Sequence, residues 1–382
     1  MVSELIDYID RGYARQDDRE DPYTALSDNL ITIHHLQPFH SDYFKPQTDT
    51  QQEKLFSYSA ENCEAAIALA FEQQKISPVF SAQLPSPPDE FKQIELQELV
   101  RFFSHPARYL LVKIIGIAPI EESQVMNTSE PFTLKGLARY KLGNDILEQL
   151  LQGHDCDKLY HIKNAAGELP HGKMGKMYFE QLVSELQSFH KTLAELLSGQ
   201  ELKQQQVNLR IRNYTLTGHL DNISRIGLVQ YRYATMKPKD VIRSWISHLV
   251  LNSLQGPAAS ETGINTFYAG KDSVYKYTPV TESSLHLKHL LDLYWEGLTE
   301  PLYFFPQTSF VFAQEIHKGK DELTALRRAN TEWEGNDFNK KGEKNDPYNL
   351  LCYKNMDLSN PLFMDQAKKV LLPAFAHQEK YS

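Results

Sequence analysis

Between residues 93 and 382 the apolar positions follow two periods, and the change from one to the other locates the elements. Leu96, Leu99, Val100 and Phe103 recur at helical spacing. Pro106, one turn on, predicts a break and then a second helix reaching Ile117. The segments 132–151 and 175–197 read as amphipathic helices. From 206 to 235 the period falls to two: Val207, Leu209 and Ile211 alternate with polar residues, followed by Tyr214, Leu216, Gly218 and Leu220. A polar turn at 221–224 leads into Arg225–Tyr233, which predicts a strand pair or meander. Helix resumes over Pro238–Leu254, with Pro238 suited to a first turn. Strands are expected at Asn265–Tyr268 and Val274–Tyr277, and a long helix at Leu285–Gly297. A helix over Glu322–Trp333 should pass into an exposed loop, and the last helix, Leu362–Leu371, should stop at Pro373. Upstream, residues 1–45 read as a small helix and then a β or loop segment. The stretch 46–92 is a proline-containing connector with one helix near Ala60–Gln73. Helices flanking a central mixed sheet give an α/β (α+β) class, divided into 1–92 and 93–382.

Composition narrows the function. The 382 residues carry 40 Lys and Arg against 49 Asp and Glu, a net charge of −9, which disfavours non-specific coating of nucleic acid but allows a local basic groove. With 41 % hydrophobic residues the chain can bury a core. No stretch approaches the ~20 apolar residues of a membrane span, and the N-terminus lacks the pattern of a signal peptide. Cys63, Cys156 and Cys352 are far apart and offer neither a disulfide framework nor a CxxC pair, which suits a reducing cytoplasm. No G-x-x-x-x-G-K-[ST], H-E-x-x-H, G-x-S-x-G or G-x-G-x-x-G occurs, so no phosphate cradle for ATP is visible.

The strand pair holds the candidate chemistry. Gly218-His219-Leu220-Asp221 ends one strand, and Gln230 and Arg232 share a face of the next, because side chains alternate along a strand. Restriction-type nucleases place an Asp on one strand and an Asp-x-Lys on the next, so that two carboxylates hold a divalent metal and the Lys orients water. Here Gln230 stands for the second carboxylate and Arg232 for the Lys, and Arg232 could pair with Asp221. A neutral amide is a poor ligand for a hard cation, so the geometry looks kept and the chemistry lost. An ordinary solvated turn presents the same G-x-x-D spacing. His34, His35 and His40 near Asp42 could suggest a metal, but adjacent histidines on an extended segment face opposite ways. His286 and His289 with Asp292 could ligate zinc or line a polar helix face. Residues 302–306 could stack bases or enter the core. The cations between Lys318 and Lys344 are interleaved with acids and read as a solvated face.

An ordered set of segments runs through the chain: His35–Phe39 with Tyr43-Phe44, Leu99–Tyr109, Glu130–Tyr140, Leu169–Gly175, Tyr294–Leu298 with Pro301-Leu302 and Phe305-Pro306, Trp333–Gly335 with Asp346–Tyr348, and Leu371–Pro373. In this the chain resembles the C-terminal third of the exodeoxyribonuclease V gamma chain family, RecC. Members are about three times longer, so the resemblance suggests the tail of an inactive helicase-like region plus linker over 1–92. It implies a degenerate restriction-endonuclease-like (PD-(D/E)xK type) domain over 93–382. Active relatives carry a His four residues after a Gly on the helix before the sheet; the positions here are Lys176 and Phe179. The resemblance therefore implies no catalysis by this chain, no metal and no cofactor of its own, with Mg²⁺ and ATP used by partner subunits. It implies a role in DNA repair and homologous recombination in the bacterial cytoplasm. Partners would be forked duplex and single-stranded DNA and the RecB and RecD subunits, with no membrane. A DNA-splitting pin is expected, with 255–280 a candidate. Residues that read Chi should lie mostly outside this stretch. The alternative is a weak divalent-metal-dependent exonuclease using Asp221 with Glu180 or Glu185.

Overall fold

The computed structural model describes residues 2–13, 30–45, 55–70, 80, 83–117, 134, 136–197, 202–255, 264–335, 342–353 and 356–381. The chain divides into two compact units, Met1–Ser77 and Pro78–Ser382. In the first, helices α1 (Val2–Gly12) and α2 (Ala60–Ala70) are described together with residues 30–45, a loop carrying a 3-10 turn at Ser41–Tyr43, so the β-or-loop expectation resolves to loop there. Tyr43 and Ala66 are buried there, while Leu36 and Tyr58 are almost fully exposed.

The second unit is built on a mixed seven-stranded sheet with helices on both faces. Its strands are β1 (Gln93–Glu95), β2 (Lys203–Ile211), β3 (Tyr214–Ile223), β4 (Gly227–Tyr231), β5 (Asn265–Ala269), β6 (Val274–Tyr277) and β7 (Gln378–Tyr381). β2 and β3 form a long antiparallel hairpin. The other edge of β3 takes β1 in parallel at Thr215–Thr217 and β4 antiparallel at its end. β4 and β5 are parallel, and β6 and β7 complete the sheet antiparallel.

Strand alternation decides which core each residue joins. Leu228 on β4 and Tyr277 on β6 belong to a core with helices α3 (Leu96–Ser104), α8 (Pro238–Leu254) and α9 (Ser283–Glu296). Val229, Phe267 and Ala269 point the other way and pack with α5 (Gly136–Leu151) and α7 (Lys173–Leu197). Between α3 and α5 lies α4 (Pro106–Tyr109), which continues as a π turn over Leu110–Ile115. A third cluster joins Phe305 and Phe312 with Trp333, Tyr353 and Phe363. It is made by α10 (Pro306–His317), α11 (Glu322–Glu334), α12 (Pro347–Cys352) and α13 (Pro361–His377).

Several elements depart from the sequence expectation. α6 (Cys156–Ala165), α10 and α12 are helices that no clear period announces. α6 buries no residue at all, and α10 buries Thr308 and Ser309 beside Phe312, which blurs the apolar stripe. Pro373 does not end the last helix but lies inside α13. The buried face of Val370, Leu371, Ala374 and Phe375 continues across it, and that packing outweighs the ~3 kcal/mol a proline costs in a helix interior. The candidate pin segment is, in its described part, two strands of the central sheet, β5 and β6; residues 256–263 lie outside the described residues.

One buried histidine gives the core a pH dependence. His248 is fully buried, with Nδ1 at 2.9 Å from Thr266 Oγ1 and Nε2 at 2.9 Å from the Thr278 carbonyl. A carbonyl only accepts, so Nε2 carries the proton and Nδ1 accepts from the Thr266 hydroxyl. Burial first, and His377 nearby, lower its pKa to about 4, against a backbone hydrogen bond that raises it. The unfolded chain therefore binds a proton there that the folded chain refuses. Stability from this site is complete above pH ~6.5 and is lost as pH falls toward 4, by up to about 3 kcal/mol. An NMR titration should find His248 neutral until about pH 4; protonation near 6.5 would contradict this.

Candidate functional site

β3 and β4 are adjacent in sequence yet share only one residue pair, Ile223 with Leu228. The turn between them is closed by Ser224 and Gly227, whose backbone groups bond each other at 2.9 and 3.3 Å. Asn222 sits in the left-handed region at φ 57°. Past that single pair the strands separate, and the start of α3 lies against β3. Gly218 explains how: at φ 136° a Cβ there would lie 3.3 Å from the Leu96 Cβ. The glycine of G-x-x-D therefore lets a helix approach the sheet.

The separation opens a cleft of about 610 Å³ between α3, the ends of β3 and β4, and the first turns of α8. Asp221, Gln230 and Arg232 all line it, so the structure brings together the three positions that the strand pattern singles out. Their surroundings differ from those of a metal-dependent hydrolase. The Asp221 side chain is 56 % exposed. It accepts from the Gln204 amide at 2.8 Å and lies 3.5 Å from His219 Nε2. Gln230 is directly opposite Tyr268 in the β4–β5 register, and its buried Oε1 has no hydrogen-bond partner.

Arg232 does not pair with Asp221. Its guanidinium donates to the Asp240 carboxylate and, at 3.2 Å, to the Thr235 carbonyl. Asp240 is 5 % exposed, sits in the first turn of α8 and also accepts from the Lys237 N–H at 2.8 Å. Burial opposes the charge on Arg232, but the Tyr268 phenol and Asp240 together more than offset it, and its pKa is raised. Asp240 is the cleft residue that the strand motif does not reveal. An acid three residues into a helix is, however, a recognisable start signal.

The cleft thus holds two carboxylates. One is bound to an arginine and a backbone amide, and the other is half in solvent. A hard divalent cation needs converging anionic oxygens, and a guanidinium already occupies Asp240. Glu185 is taken by Arg139 at 2.7 Å; Glu180 lies 3.8 Å from Lys176. Neither lines the cleft, and neither do Lys176 and Phe179. Phe179 is instead buried in the core between α5 and α7.

The remaining candidates resolve individually. Among the described residues one trio of metal-type side chains converges, His35, His40 and Asp42, although sequence spacing argues against it. The Asp42 carboxylate is 3.0 Å from His35 and 3.5 Å from His40, and Lys45 binds it at 2.9 Å. The two imidazoles are stacked 3.6 Å apart and 11° from parallel. A bound metal lies in the plane of its imidazole, so the stacked rings cannot share one ion without turning. On α9, Asp292 pairs with Lys288 rather than joining His286 and His289. Leu302, Phe304 and Phe305 are core residues, not a base-stacking surface. Of the charged run, Lys318 and Lys344 are ion-paired, and Lys340 and Lys341 lie outside the described residues.

Comparison with known proteins places these features in a family. The RecC C-terminal domain family matches residues 91–317, which take in the sheet from β1 to β6 and every side of the cleft. The chain is 25 % identical over 393 aligned residues to the RecBCD enzyme subunit RecC of Escherichia coli K12, covering 98 % of this chain and 33 % of that protein. It is 23 % identical to RecC of Mycobacterium tuberculosis over 92 % of this chain and 31 % of the relative. It is also 23 % identical to RecC of Buchnera aphidicola from Acyrthosiphon pisum, over 74 % of this chain and 26 % of the relative. The chain spans about a third of the length of the curated relatives it matches. Strands β1 to β6 and the cleft among them lie inside the matched stretch, and the chain belongs to the RecC C-terminal domain family.

Proposed function

We propose that the chain works as the non-catalytic C-terminal domain of the RecC subunit of an exodeoxyribonuclease V (RecBCD) helicase–nuclease in DNA repair and recombination. On this reading it guides and splits DNA and contacts RecB and RecD, while Mg²⁺ and ATP are used by those partner subunits in the cytoplasm. The order α7, β2, β3, β4, α8, β5, with the cleft where β3 and β4 part, fits a restriction-endonuclease-like core whose chemistry has decayed.

One observation carries the non-catalytic reading. At the position of the metal-binding carboxylate pair, Gln230 replaces one acid, and the arginine two residues on is bound to Asp240. The second reading, a weak metal-dependent nuclease, draws on Asp240 and Asp221 lining one cleft. Incubating the chain with linear and single-stranded DNA in Mg²⁺ or Mn²⁺ separates the two. No cleavage is expected, and Asp221→Ala should change nothing chemical.

A further inference from the structure

The charge balance of the cleft points to a ligand. Its lining includes Arg101, Arg232, Lys239 and Arg243 against Asp221 and Asp240, a local excess of positive charge in a chain of net charge −9. The ion pairs account for part of this. Arg232 is bound to Asp240 and Arg101 to Glu98, and Asp221 has His219 and Gln204 beside it. Lys239 and Arg243 are left with no counter-ion among the described residues. They are four residues apart in α8, so they stand on one helix face as neighbours, and both are exposed. Like charges so placed repel by a few tenths of a kcal/mol, which an anion between them would reverse.

The floor beneath them is also incomplete. Tyr268 is 2 % exposed and lines the cleft. Its hydroxyl rests against Arg232 but makes no well-formed hydrogen bond, and Gln230 Oε1 and Arg232 Nε have no partner either. Buried polar atoms left unpaired cost free energy, and here three of them cluster at the base of one cleft.

We infer that this cleft grips the phosphodiester backbone of single-stranded DNA, with Lys239 and Arg243 as the phosphate contacts. This rests on the proposed DNA-guiding role and names the site that serves it. An extended polyanion fits better than a small phosphate ion. The two free cations are exposed on an open rim, where a lone anion would be screened by salt, whereas a strand gains from releasing its condensed counterions. Gln230 and Arg232 suit the same end, since on the proposed non-catalytic reading a strand lying across them is held without being cut.

The test is fluorescence anisotropy of a labelled oligothymidylate with the full chain in EDTA, over a range of salt. The double reversal Lys239→Glu/Arg243→Glu should weaken binding at least tenfold. It should also flatten the log–log salt dependence by about 1.4, two contacts at roughly 0.7 each for a single strand. The reversal Arg327→Glu/Arg328→Glu, on the exposed face of α11, should leave both quantities unchanged, and thermal melting checks that each variant is folded. If the unchanged chain binds the strand and the cleft reversal has no effect, this inference fails while a DNA-guiding role elsewhere on the chain survives. If inorganic phosphate or a mononucleotide at matched ionic strength occupies the cleft stoichiometrically and displaces the strand, the ligand is a small anion and the strand claim is wrong. If no strand binds even at low salt, the inference and the DNA-guiding role fall together.

Discussion

Arg232→Ala is expected to destabilise the second unit by about 3 kcal/mol, while Asp221→Ala, in the same cleft, should stay within about 0.5 kcal/mol. The difference follows from what each group leaves behind. Asp240 is buried, and without Arg232 its negative charge keeps the Lys237 amide but loses the cation that is bound to it; an uncompensated buried charge is costly. The lower end of the usual 3–5 kcal/mol range applies because the Arg232 side chain is 24 % exposed and water can enter. Asp221 is already half in solvent, and its partner Gln204 can turn to water. Arg232→Lys should fall between the two, since a lysine keeps the charge but cannot reach both Asp240 and the Thr235 carbonyl with a planar fork. Denaturant unfolding of the three variants checks the order. Equal effects at 221 and 232 would mean that Arg232 does not act through Asp240.

Gly227→Ala should cost on the order of 3–5 kcal/mol, the largest effect of a single added methyl group at the cleft. Gly227 has φ 137°, a region essentially confined to glycine, which accounts for 1–3 kcal/mol. A Cβ would also lie 2.0 Å from the Asn265 carbonyl oxygen, so β4 and β5 would have to part where their parallel pairing begins. That displacement shifts Gln230 against Tyr268 and so reshapes the cleft floor. Gly319 provides the comparison: φ is 80° there, but a Cβ would meet nothing within 4 Å. Gly319→Ala should therefore cost only about 1–2 kcal/mol, the left-handed backbone alone. Melting temperatures of the two variants measure the gap, and equal losses would show that β4 and β5 separate without cost.

Much of this architecture is legible in the sequence because the two periods are strong where the sheet and its flanking helices lie. The strand alternation from Val207 to Leu220 and the apolar stripe of Leu96, Leu99 and Phe103 each appear as expected. What escapes is whatever depends on distant partners. α6 is a polar helix whose start is marked mainly by the Asp155 cap. β7 is four residues long and exists because it follows α13 back to β6. Pro373 is tolerated because the core accepts both ends of the helix around it. That Asp221, Gln230 and Arg232 come to one place is legible from strand spacing alone, but the pairing of Arg232 with Asp240 is not. That pair spans a strand end and a helix start, and only the fold brings them together. The convergence of His35 with His40 is hidden for the same reason, since an irregular loop carries no period.

The proposal that the cleft does no catalysis is tested most directly by a time course of DNA cleavage with the chain in excess, on linear duplex and single-stranded DNA. Mn²⁺ should be used as well as Mg²⁺, with Asp221→Ala run in parallel. The donor set of the cleft predicts that neither substrate is shortened and that the variant is indistinguishable from the unchanged chain. Metal-dependent cleavage that the Asp221 change abolishes would contradict it, and would identify Asp240 as a working partner of Asp221 rather than the anchor of Arg232.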